Sequence, residues 1–233
     1  EANASIQIGD ANGGATIRGA TVDLKASTEI STKWVYQKSD GGSYVDDPTD
    51  VDAAGRTLAL GASTAAEAAV GFLATLVGVN MVHSQAVASS TVLVKSGSTV
   101  ESTGTVTLKA ENTTTAGAAP ETGISGPGAQ VDTPLGLGAL YARNKSVATV
   151  TVEGNATIKS QNLDVRAHNT AALAAEIASA DAGSDSGDIA IALGVTHADI
   201  QAKALVEQGA HIKVTGRVSV AATNVNSFNT SVE

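Results

Sequence analysis

Apolar and polar residues alternate along this chain in short bursts, and the bursts recur. Val92-x-Val94 and Val150-x-Val152 each open a segment of alternating side chains, and Val106-x-Leu108-x-Ala110, Leu163-x-Val165-x-Ala167 and Val218-x-Val220-x-Ala222 each close one. A period of two puts the apolar set on one face of a β-strand. Between opening and closing strand lie two breaks. The first is a corner rich in small residues: Lys95-Ser96-Gly97-Ser98, Glu153-Gly154-Asn155-Ala156 and Glu207-Gln208-Gly209-Ala210. Glycine there predicts a positive φ at a tight corner. The next apolar residue follows six positions after the last one, as in Val94 to Val100, Val152 to Ile158 and Val206 to Ile212. The second break is Thr103-Gly104, Gln161-Asn162 or Thr215-Gly216.

The whole pattern occurs four times, clearly at about 92–112, 150–169 and 204–224 and more loosely at about 6–28. Three strands joined by corners make one turn of a solenoid, in which each unit buries its apolar face against the next. The predicted fold is therefore all-β, a parallel β-helix (β-solenoid), with residues 1–233 forming one solenoid segment of a longer protein. Flat sheets would require recognisable hairpin turns, and Asn12-Gly13 is the one Asn-Gly dipeptide. The closing alanines are Ala26, Ala110, Ala167 and Ala222. The last two intervals between them are nearly equal, and the first is half as long again. Even the shorter interval is long for a narrow β-helix, which predicts two or three turns per unit. The intervening stretches 57–82 and 171–198 are rich in Ala and Gly, and small side chains suit a cramped solenoid interior. Thr64 to Val70 also has good helix propensity, a rival reading for that piece.

The excess in the first interval has a visible source. Residues 33–54, KWVYQKSDGGSYVDDPTDVDAA, break the pattern and read as one loop insertion. They hold Trp34, Tyr36 and Tyr44, half of the chain's six aromatics. They also hold Asp40, Asp46, Asp47, Asp50 and Asp52, an oxygen-rich run of the kind that Ca²⁺ takes up. Its spacing matches neither the EF-hand loop nor a calcium-binding β-roll repeat, so a solvated acidic loop is the simpler account. Asp181, Asp185 and Asp188 read as a polar corner. Loops borne on a rigid scaffold tend to carry function, so the insertion is the expected protrusion and contact region.

Composition narrows the classes. With no cysteine, thiolate catalysis, thiolate metal sites and disulfides are excluded. A net charge of −9 argues against a nucleic-acid backbone as partner. The basic residues are scattered, and Lys25, Lys109 and Arg166 recur just before a closing alanine, an outward strand position. No apolar run is long enough to span a bilayer as a helix. The four histidines, His83, His168, His197 and His211, form no HExxH pair. His197 and Asp199, two apart on one side of a strand, could touch a shared ligand. No G-x-S-x-G elbow supports a hydrolase nucleophile. The chain opens on Glu1 and ends within repeat-like sequence, which predicts flanking repeats in the same longer chain.

Gly154-Asn-Ala-Thr-Ile158 with Leu163-Asp-Val-Arg-Ala167, and Gly209-Ala-His-Ile212 with Gly216-Arg-Val-Ser-Val-Ala221, resemble the repeats of very large bacterial surface exoproteins, the filamentous-haemagglutinin-like and leukotoxin-like filamentous adhesins. The resemblance covers most of the chain outside the insertion. It implies a right-handed parallel β-helix, an extracellular or bacterial cell-surface location, a stalk role, a protein or glycan receptor on a host or environmental surface, and no catalytic residues. Two rivals stand beside it. Carbohydrate-active β-helix enzymes of the polysaccharide lyase or epimerase kind would use Trp34, Tyr36, Tyr44 and the neighbouring aspartates as a sugar groove. An ice- or surface-binding solenoid would use T-x-T pairs such as Thr105/Thr107 and Thr149/Thr151.

Overall fold

In the computed structural model the described residues are 1–10, 13–33, 35–37, 43–45, 79–118, 135–177 and 189–232, with side chains described within 1–10, 13–32, 84–117, 141–174 and 195–229. Four turns of a parallel β-solenoid stack upon one another. The first turn is β1 (Ala2–Ile8), β2 (Thr16–Gly19) and β3 (Val22–Lys33). It is followed in sequence by two short strands, β4 (Val35–Gln37) and β5 (Ser43–Val45). The second turn is β6 (Val79–Val94), β7 (Thr99–Ser102) and β8 (Thr105–Ala118). The third is β9 (Leu135–Val152), β10 (Thr157–Ser160) and β11 (Asn162–Ile177). The fourth is β12 (Ile189–Val206), β13 (His211–Val214) and β14 (Val218–Val232).

Strands of like position join into three sheets: β12-β9-β6 with β1 on the edge of β6, β13-β10-β7-β2, and β14-β11-β8-β3. The register aligns the repeated motif. Ile8, Val94, Val152 and Val206 form one column, and Ile17, Val100, Ile158 and Ile212 another. The closing alanines, Ala26, Ala110, Ala167 and Ala222, form a third. Each long repeat is thus a single turn, contrary to the two or three that its length suggested. The length goes into the opening and closing strands, which run to 18 and 16 residues in the third turn.

The interior has two zones. Near the corners, where all three sheets meet, Val92, Val94, Val100, Val106, Leu108, Val150, Val152, Ile158, Leu163 and Val165 form the aliphatic core. Beyond it only two sheets remain, facing each other through small side chains. Ser84, Ala86, Ala88 and Ser90 of β6 and Ala142, Asn144, Ser146 and Ala148 of β9 are buried there, opposite Asn112, Thr114, Asn169 and Ala171. The gap is narrow enough for side chains to bond backbone across it: Asn144 Nδ2 donates to the Ala172 carbonyl at 2.8 Å and Ser90 Oγ to the Glu111 carbonyl at 2.9 Å. Small residues are required because a larger side chain would force the sheets apart, and buried polar groups must be paired.

One polar column runs through this zone. Thr28, Asn112, Asn169 and Asn224 share a register position two residues past the closing alanine. Thr28 Oγ1 donates to Asn112 Oδ1 at 2.5 Å, Asn112 Nδ2 to Asn169 Oδ1 at 3.1 Å, and Asn169 Nδ2 to Asn224 Oδ1 at 3.0 Å.

The corners repeat as the sequence suggests, with one change. Gly97 and Gly209 take φ of 77° and 87°, but in the third turn Asn155 at 61° holds that place and Gly154 does not. Asn tolerates the left-handed region better than most residues. Gly154 is needed for another reason: a Cβ there would lie 2.7 Å from the Gln208 carbonyl oxygen of the next turn. An acidic residue opens two corners and ties them upward. Glu153 accepts from the Ser96 N–H at 2.9 Å and Glu207 from the Gly154 N–H at 3.3 Å.

The insertion is described only in part. Its described part folds back and pairs antiparallel on the solenoid, with Val35, Tyr36 and Gln37 of β4 opposite His83, Val82 and Met81 of β6, and β5 pairing β4 in turn. Residues 35–37 and 43–45 therefore extend a sheet edge, and the rest of the expected protrusion lies outside the described residues.

Candidate functional site

The outer face of the β3-β8-β11-β14 sheet carries the densest cluster of chemistry among the described residues. Alternation sends Ala26, Ala110 and Ala167 inward, so the residue before each points out. Lys25, Lys109 and Arg166 then fall in one register column, with Ala221 next below them. One column over, Ser27, Glu111, His168 and Thr223 align.

Glu111 bridges two turns. It pairs with Lys25 of the turn above at 2.7 Å and with Lys109 of its own strand. Partial burial pushes the Glu111 carboxyl up, but the hydrogen bonds from Lys109 and Lys25 outweigh it and hold the group below the ordinary carboxylate range. The bond to Glu111, reinforced by its charge, raises the Lys25 ammonium above its ordinary value. Arg166 Nε lies 2.7 Å from Asp164, and His168 Nε2 shares a hydrogen bond with Thr170 Oγ1 at 3.2 Å. Below Arg166 and His168 the small residues Ser219, Ala221 and Thr223 leave an open hollow of about 360 Å³.

This hollow presents guanidinium, imidazole and hydroxyl donors to a polar group, while Glu111 and Asp164 offset the cations. Catalysis of the nucleophile–base kind needs a third group that orients the base. Neither Glu111 nor Asp164 is bonded to His168.

A second charged column lies on the short sheet. Glu101 takes Arg18 from above at 2.7 Å and Lys159 from below at 2.5 Å. The bond from Lys159, then that from Arg18, keeps its carboxyl below the ordinary range. At the first corner the Ser96 N–H, aided by Lys95, does the same for Glu153.

Most candidates from the sequence stay apart. The basic residues Lys25, Lys109 and Arg166 do face outward, and the sequence missed only that Glu111 and Asp164 neutralise them. His197 and Asp199 share the outer face of β12, where Asp199 accepts from Gln201 Nε2 at 3.0 Å. Thr105 and Thr107 lie on β8 and Thr149 and Thr151 on β9, in different sheets. Their register neighbours include Asp164 and Leu93, so no threonine lattice forms there. Tyr36 and Tyr44 are direct partners across β4 and β5. Trp34, the run Asp40, Asp46, Asp47, Asp50 and Asp52, the corner Asp181, Asp185 and Asp188, and the helix candidate at 64–70 lie outside the described residues. Among the described residues no three His, Asp or Glu side chains converge as a metal site, and no helix is long and apolar enough to cross a membrane.

The asparagine column is the feature that sequence reading passed over. Asn112, Asn169 and Asn224 each close a copy of the repeat, and that recurrence was the available signal. Comparison with family models, with curated proteins and with solved structures gives no match, so the geometry stands alone as the guide to function.

Proposed function

We propose that this chain is a structural segment of a bacterial cell-surface or secreted adhesin, a stiff stalk that holds binding elements away from the surface and continues into flanking repeats. One observation carries the reading: the same columns pass in register through all four turns. A cross-section that repeats unchanged can be extended by adding turns, each lengthening the rod by about 4.8 Å. The polar links from turn to turn, Asn112 to Asn169 and Lys159 to Glu101, add resistance to shear between turns. The receptor in this reading is a protein or glycan outside the cell.

The rival of a polysaccharide lyase or epimerase draws on Tyr36 opposite Tyr44. An activity assay separates them. The stalk reading expects no unsaturated product, followed by absorbance, from acidic polysaccharides. A turnover signal abolished by Tyr36→Ala and Tyr44→Ala would replace the stalk with an enzyme.

A further inference from the structure

Basic side chains in the first three turns are matched by carboxylates almost throughout. Arg18, Lys25, Lys95, Lys109, Lys159 and Arg166 each pair with one. Arg143 and Lys145 of β9 pair with none among the described residues. Ala142 and Asn144 are fully buried, so alternation turns both basic residues outward. Arg143 is half-buried, and its Nε is shut off from solvent without a hydrogen-bond partner. A guanidinium that has lost water and gained no acceptor calls for an anion.

This vacancy lies within the rod and not at its ends. In register, Arg143 sits between Gln85 of β6 and His197 of β12, and Lys145 between Val87 and Asp199. Both neighbours of each residue belong to this chain, so a flanking repeat cannot stack a carboxylate beside them. Asp199 is the one described carboxylate within a register step, and it accepts from Gln201 Nε2 at 3.0 Å.

The surrounding chemistry selects the ligand. Arg143 and Lys145 against Asp199 leave one positive charge, in a chain whose net charge is −9. That balance matches a monoanion better than a phosphate dianion, and the guanidinium fork matches the two oxygens of a carboxylate. Gln85 and His197 stand about 4.8 Å from Arg143 across the strands, and Lys145 about 6.6 Å along its own, a reach that suits the groups of one sugar ring. Further along the same face come Ser89, Val147 and Gln201, then Thr91, Thr149 and Lys203. These rows carry hydroxyls and amides for sugar hydroxyls, and lack the aromatic anchors on which a protein partner relies.

We propose that the outer face of β6, β9 and β12 binds a uronate-bearing glycan, with the carboxylate on Arg143 and Lys145 and ring hydroxyls on Gln85 and His197. This site is on a different sheet from the hollow below Arg166, and it does not rest on the stalk reading.

Calorimetric titration of the full chain with trigalacturonate at low ionic strength tests the site. The wild-type chain binds, and added salt weakens the binding. Arg143→Gln weakens it about tenfold or more, as loss of a charge-assisted pair requires, and Lys145→Gln weakens it by a smaller factor. Lys213→Gln, on the outer face of β13, removes the same charge elsewhere and leaves affinity unchanged. Because Arg143 has no partner in the free chain, Arg143→Gln keeps or raises the ligand-free melting temperature, and trigalacturonate raises melting of the wild type but not of this variant. Should Arg143→Gln not fold, Arg143→Lys keeps the charge, loses the fork and carries the same comparison. Absence of binding, or equal affinity in wild type and the Arg143 variant, overturns the proposal. So does an affinity for inorganic sulfate or hexaglutamate that equals that for trigalacturonate, which would assign the face to a bare oxyanion or an acidic peptide.

Discussion

Replacing Asn169 with alanine tests whether the polar column holds the narrow zone together. Asn169 is fully buried and makes four close contacts there. Its Oδ1 accepts from Asn112 Nδ2 at 3.1 Å and from Ser146 Oγ at 3.0 Å, and its Nδ2 donates to Asn224 Oδ1 at 3.0 Å and to the Gln201 carbonyl at 2.5 Å. Alanine removes all four bonds and leaves the buried donors of Asn112 and Ser146 without an acceptor. Each such orphan costs about 1–3 kcal/mol. Two of them, with a small cavity, bring the expected loss to about 3–5 kcal/mol. Asn224 is the built-in control. It occupies the same column but is exposed, so water replaces its bonds and Asn224→Ala is expected to cost less than about 1 kcal/mol. Urea denaturation followed by far-UV circular dichroism measures both. Equal effects from the two substitutions, or a loss below about 1 kcal/mol at Asn169, would show that the column does not bear on stability and that the narrow zone is held by backbone pairing alone.

Other expectations follow from the same geometry. Ile158→Asp and Val165→Asp each bury an unpaired charge in the aliphatic core and should cost several kcal/mol, whereas Val220→Asp on the open face should leave the melting temperature nearly unchanged; wild-type melting of the first two would refute the inward assignment. Asn155→Val should destabilise by about 1–2 kcal/mol because a β-branched residue at positive φ is strained, while Asn155→Gly should be neutral or better by the same assay. Glu101, Glu111 and Glu153 all titrate below the ordinary carboxylate range in the fold, so their stabilisation is present above that range and lost as pH falls through the lowered native values. Melting temperature should therefore fall on acidification below about pH 4.3, the ordinary glutamate value, and fall less steeply in Glu111→Gln; identical acid limbs would deny the Lys25–Glu111–Lys109 bridge any role.

Much of this fold was legible because its code is local. The six-position step from Val94 to Val100, the corner glycines and the closing alanines are written within a single copy, and the register then aligns them across copies. Alternation also identified the outward basic positions Lys25, Lys109 and Arg166. Where reading failed, the missing information lay between copies. The positive φ falls on the third corner residue in every one of these turns, Gly97, Asn155 and Gly209, whereas Gly154 is kept small by the Gln208 carbonyl of the turn below, a contact that lies between copies.

The sequence by itself determined that strands form, which face of each turns inward and where the corners fall, since side-chain period and turn chemistry act over a few residues. Only the tertiary structure decided how far each strand runs, that one whole repeat makes a single turn, that part of the insertion lies along the edge of β6, and that Glu111 and Asn169 each tie neighbouring turns together. Those features depend on partners a full repeat away in the chain, brought to about 4.8 Å by sheet pairing, a proximity that no local pattern encodes.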